Sequence, residues 1–113
     1  EIQILDSYGL KPEVGDCGAI YSRTPPMVNA CRPPETWQTY DITFHAPKFD
    51  ADGKKTASAR ITVFQNGVLI HDNAEIPGPT PNHSASDPKD AGPIQLQNHG
   101  YPVRFRNVWV RPL

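Results

Sequence analysis

The residues best suited to chemistry lie at the two ends of the chain. In the stretch 92–113, GPIQLQNHGYPVRFRNVWVRPL, Gln95, Gln97 and His99 stand two apart, and so do Arg104 and Arg106. On an extended strand that spacing puts each set on one face. Amides both donate to and accept from hydroxyls, guanidiniums donate to oxyanions, and an imidazole exchanges protons near neutrality. At the other end Glu1 and Gln3 repeat the two-residue spacing. Together they have the make-up of a surface that reads an oxygen-rich ligand and moves a proton on it. Plainer roles compete at every position. His99 can order the corner at Gly100, Glu1 can be a strand-end charge, and the arginines can pair with Glu1 or an aspartate. Tyr21 and Trp37 can stack on a ring or pack inside.

Other chemistries have no footing. Ser84 and Ser86 lie in a polar stretch without the Gly-x-Ser-x-Gly turn of a nucleophile. The histidines at 45, 71, 83 and 99 show no metal-ligand spacing, so neither metal nor cofactor is expected. The Asp-x-Asp-Gly at 50–53 lacks the further ligands of a calcium loop and reads as a turn.

The elements that must position these groups are strands. Glu1 to Asp6 and Cys17 to Ser22 are short candidates. In Trp37 to His45, Tyr40, Ile42 and Phe44 face one side while Asp41, Thr43 and His45 face the other. Ala59 to Gln65 and Val68 to His71 flank Asn66-Gly67, the pair preferred in a type I′ hairpin turn because both residues take positive φ. Ile94 to His99 and Val103 to Val110 read as a closing hairpin. Alternation slips at Asn107, where a bulge would restore one face. Between them run Pro-rich loops at 23–35 and 72–90, the latter carrying the N-glycosylation pattern Asn82-His83-Ser84. The pattern predicts one all-β domain, an antiparallel sandwich or jelly roll.

Composition agrees. The chain has 113 residues, 13 of them Pro, with 37% hydrophobic content, which favours a loop-rich β domain over helices. A net charge of −1 gives no reason to expect nucleic acid. No apolar run approaches the roughly 20 residues that span a bilayer. Cys17 and Cys31 flank a Pro-rich loop at a spacing that suits neither a redox C-x-x-C nor a zinc knuckle. A disulfide there would close a loop of about 15 residues, worth about 3 kcal/mol, and would imply a secreted, periplasmic or extracellular protein.

Several motifs in one order resemble the 3-keto-disaccharide hydrolase family. They are the Leu96–Gly100 run, Val103–Asn107, the EIQILD strand at Glu1–Asp6, and the Gly-Ala-Ile-Tyr, Pro-Pro, Asn-Ala and Pro-Pro-Glu-x-Trp-Gln-x-Tyr-Asp-Ile series within Cys17–Phe44. The resemblance spans almost the whole chain. It implies a concanavalin A-like sandwich whose curved sheet binds sugar. It also implies cleavage of glycosides oxidised at C3, by removal of the C2 proton and loss of the group at C1, followed by water addition. On that reading His99 and Glu1 are the catalytic candidates. Gln3, Tyr21, Gln95, Gln97, Arg104 and Arg106 would hold the sugar. Family members carry about as much sequence again before the Glu-Ile-Gln strand, so an N-terminal half or another chain is expected to complete the sheet. The competing readings are a carbohydrate-binding module without turnover and an extracellular assembly subunit completed by strands of another chain.

Overall fold

The strongest local expectation, the Asn-Gly hairpin, is the centre of the fold. Asn66 and Gly67 take φ of 53° and 80°, the two left-handed conformations a type I′ turn demands. They join β4 (Ala59–Gln65) to β5 (Val68–Ile76). The Asn66 side chain ties the turn to its surroundings: Oδ1 accepts from Thr39 N at 2.9 Å, and Nδ2 donates to Ala30 O at 2.7 Å. β1 (Tyr40–His45) pairs antiparallel with β4 from Tyr40↔Gln65 to His45↔Arg60, giving the sheet order β1-β4-β5. β2 (Lys48–Phe49) and β3 (Lys55–Ala57) form a separate small hairpin. The computed structural model describes residues 1–81, 91–98 and 100–113, and among these there is no helix. The all-β antiparallel class expected from the sequence is the class found.

The core lies on one face of the three-stranded sheet. β4 alternates strictly, with Ala59, Ile61, Val63 and Gln65 buried. Ile61, Val63, Ile70 and Ile20 form the central cluster, with Ile2, Ala30, Tyr40, Ala74 and Ile76 packed against it. Two register shifts in the β4–β5 ladder break the alternation of β5, so the consecutive residues Ile70 and His71 are both buried. The layer over this face is irregular chain from the first thirty or so residues. Ile20 anchors it through bridges to Ile2 and Thr24. Gly18 allows the close approach: its φ is +83°, and a Cβ there would meet Ile70 Cδ1 at 2.7 Å.

Several expectations are corrected. Glu1–Asp6 is not a full strand. Gln3 N donates to Ala19 O and Gly18 N to Gln3 O, but the next amide, Ile4 N, donates to a side chain, so the ladder stops. The closing hairpin over 92–113 is not formed among the described residues, which carry no strand there. Alternation marks a strand only where a neighbouring strand takes up its backbone groups, and among the described residues no strand pairs with this segment. Asn107, where a bulge was expected, is a left-handed residue at φ 53° at a bend outside any strand. β5 runs on to Ile76, which shortens the long loop. The Asn82-His83-Ser84 pattern lies outside the described residues. At 50–53 the turn reading holds: Asp50 Oδ1 accepts from Asp52 N and Lys54 N at 3.1 and 2.8 Å.

Candidate functional site

Residues 93 positions apart in sequence meet at the edge of the irregular layer. The short pairing of Glu1–Gln3 with Gly18–Tyr21 sets Glu1 and Gln3 on one face: Tyr21 N donates to Glu1 O at 3.2 Å and Gly18 N to Gln3 O at 2.9 Å. Gln97 comes in from the C-terminal segment and joins them. Its Nε2 donates to Glu1 Oε1 at 2.6 Å and to Gln3 Oε1 at 2.5 Å, and its Oε1 accepts from Ile4 N at 2.7 Å. A primary amide has two N–H donors, so both are engaged.

The three residues differ in what they offer a ligand. Gln3 is 3% exposed, and its Nε2 donates to Gly15 O at 3.2 Å. Its backbone carbonyl accepts from Tyr40 Oη at 3.1 Å. Gln3 therefore braces the site from beneath. Glu1 carries an exposed carboxylate at the rim, with Gln97 half-buried between them. Tyr21, next to Glu1 across the pairing, is also half-buried.

The remaining expected residues fall elsewhere or outside. Gln95 and Arg104 are exposed on the C-terminal segment, away from the cluster's hydrogen bonds. Arg106 lays its guanidinium over the Trp37 ring, 3.8 Å from the centroid, a cation–π contact that occupies one face of the indole. His99 lies outside the described residues.

Behind Gln3 is a buried polar network that sequence reading did not single out. Gln65 Nε2 donates to both Cys17 Sγ and Cys31 Sγ at 3.3 Å, and Cys17 Sγ lies 3.2 Å from Tyr40 Oη. Cys17 and Cys31 are free thiols, and the expected disulfide is not present in the structure; the Gln65 amide bonds to each sulfur. Burial first, then the neighbouring Cys17, pushes the Cys31 thiol up to about 11. Burial and then Cys17 push the Tyr40 phenol far above its ordinary value, so it stays a donor to Gln3. Gln65 Oε1 is buried without a hydrogen-bond partner. The sequence offers only a partial signal, Gln65 at the end of the apolar alternation of β4; its pairing with Tyr40 is seen in the structure alone. His71 belongs to the same interior, with Nε2 2.8 Å from Gly18 O, and burial lowers its pKa. Among the described residues no group of three or more His, Cys, Asp or Glu is placed to hold a metal ion.

The fold and the site together define an antiparallel β domain with an exposed rim carboxylate bonded by one amide. The chain belongs to the family of 3-keto-alpha-glucoside-1,2-lyase-like domains, whose model matches residues 1–111. It is also similar, at 35% identity and a TM-score of 0.62, to a crystal structure from Parabacteroides distasonis provisionally described as a glycosyl hydrolase. The match covers 88% of this chain and 39% of that one, so the chain corresponds to about two fifths of that protein. No curated protein matches the sequence.

Proposed function

We propose that this domain takes part in cleaving glycosides whose sugar is oxidised at C3. The observation that carries the reading is the Glu1–Gln97–Gln3 cluster in a chain of this family: an exposed Glu1 carboxylate bonded by the Gln97 amide, which stands two residues before His99 in the sequence. A C3 ketone acidifies the C2 proton. A base removes it, the electron pair passes towards the C3 oxygen as an enolate, and its return expels the C1 oxygen, which takes up a proton. Water then adds across the new double bond. Glu1 and His99 are the proton-transfer groups in this scheme. Gln97 and Tyr21, beside Glu1, contact the sugar, whereas Gln95 and Arg104 stand away from the cluster and Arg106 lies on Trp37, so these three are given no part in the step. Gln3 acts through Gln97 rather than on the ligand.

The test uses the longest natural form of the protein with a 3-keto-glucoside in deuterated water, followed by NMR. Deuterium entry at C2 and release of the C1 group, both lost in His99→Ala and Glu1→Gln variants that still bind sugar, are the expected result. Release without exchange at C2 would overturn the elimination. Binding with neither exchange nor release would point to the second reading, a binding module. The engagement of the Glu1 carboxylate by Gln97 favours that alternative.

A further inference from the structure

The two thiols lie outside the chemistry proposed for the rim, and their surroundings differ from those of inert core cysteines. Both sulfurs accept from the same nitrogen, Gln65 Nε2, at 3.3 Å, which places the two thiols side by side on one amide. Cys17 is buried, whereas Cys31 is partly exposed. Cys31 also lines an open cleft of about 370 Å³ with Tyr8, Gly9, Leu10 and Asn29. The backbone around Cys31 is fixed: Asn29 Oδ1 accepts from Cys31 N at 3.0 Å, and Asn29 Nδ2 donates to Leu10 O at 2.8 Å. On the other side Ser7 Oγ accepts from Cys17 N at 3.0 Å. One thiol is open to a reagent, the second waits behind it, and both backbones are held.

We propose that Cys17 and Cys31 are a dithiol–disulfide couple, closed by exchange with a low-molecular-weight disulfide that enters the cleft over Cys31. The Cys31 thiolate attacks one sulfur of the reagent and expels the other as a thiolate, which takes up a proton. The mixed disulfide on Cys31 is then attacked by Cys17, which gives up its own proton, and the second thiol leaves. The cysteines lose two electrons and two protons, and the small disulfide becomes two thiols. Because exchange needs the thiolate and burial holds Cys31 well above its ordinary pKa, closure is slow at neutral pH. It accelerates about tenfold per pH unit through the alkaline range below the Cys31 value, as a thiolate-dependent step must. The product ties the chain beneath Gln3 to the Pro-rich loop.

The test incubates the folded protein with glutathione disulfide, quenches with an alkylating agent and weighs the intact chain. The expected wild-type product has lost two hydrogens, carries neither alkyl group nor glutathione, and yields one peptide pair linking Cys17 to Cys31 within a chain. Cys17→Ser should accumulate the glutathione adduct at Cys31, while Cys31→Ser should stay largely unmodified. A wild type that stops at the mixed disulfide, or that links only between chains, overturns the proposal. So does one that keeps both thiols under conditions that oxidise the urea-unfolded chain. The wild-type result stands alone if either variant fails to fold.

Discussion

Gln97 uses both its donors and its acceptor on the first four residues of the chain, which makes it the joint between the two ends of the site. Gln97→Leu removes one charge-assisted bond and two neutral ones. Since such bonds contribute about 0.5–3 kcal/mol each and do not add, we expect a loss of about 1–3 kcal/mol in urea unfolding. We also expect a larger loss of sugar affinity than Gln95→Leu gives, because Gln95 stands away from the cluster's bonds; calorimetric titration checks the comparison. His71 has a different consequence. Its Nε2 faces a carbonyl, which accepts, so the ring there carries the proton and is neutral when folded. Burial lowers its folded pKa below the ordinary value of about 6.5. The unfolded chain therefore takes up the proton first as pH falls. The stability that the neutral ring contributes is complete above about pH 7 and is lost progressively as pH drops through 6.5 towards the folded value. Urea midpoints between about pH 7.5 and 5.5 should fall in the wild type, and the fall should be shallower in His71→Gln.

The β4–β5 hairpin separates the two ways in which a turn stabilises a fold. Gly67 has open space where a Cβ would sit but a φ of +80°, so Gly67→Ala tests backbone conformation alone and should cost about 1–2 kcal/mol. At Asn66 the side chain also bonds Thr39, Ala30 and Gln38, so Asn66→Gly keeps the turn and isolates those bonds. Gly18→Ala combines a positive φ with a 2.7 Å clash against Ile70 and should be the most damaging of the three; denaturant titration ranks them. This hairpin was legible because its turn chemistry is local to two residues. β1 was legible because Tyr40, Ile42 and Phe44 alternate and do pair with Gln65, Val63 and Ile61. The C-terminal alternation was equally clear, yet the described chain gives it no ladder partner. Periodicity reports which face a strand would present, not whether a neighbour is there. The site was legible in part for the same reason. The two-residue spacing put Glu1 and Gln3 together, but no local pattern shows that Gln97 reaches them, or that Gln65 and Tyr40 form a polar floor with the thiols.

Apolar surface is distributed unevenly over the molecule. Along β4 the core face is closed, but on β1 the same face is open: Ile42 is 49% and Phe44 50% exposed, although their partners Val63 and Ile61 are buried. The C-terminal segment adds Val108, Trp109 and Val110, all exposed. The radius of gyration of 14.7 Å exceeds the roughly 13 Å of a compact domain this long, and the molecule extends 48 Å along one axis and 26 Å across. An open sheet edge beside uncovered apolar side chains favours association. The 113-residue chain on its own should therefore sediment with a concentration-dependent increase in mass. Phe44→Lys places a charge on the exposed edge strand and removes only a half-buried ring, so it should cost about 1 kcal/mol or less in stability. If the β1 face drives association, that variant should sediment as a monomer at concentrations where the wild type does not. A Trp109→Lys variant should then associate like the wild type. The reverse ranking would assign association to the C-terminal segment, and two monomeric variants would show that both surfaces meet in one contact.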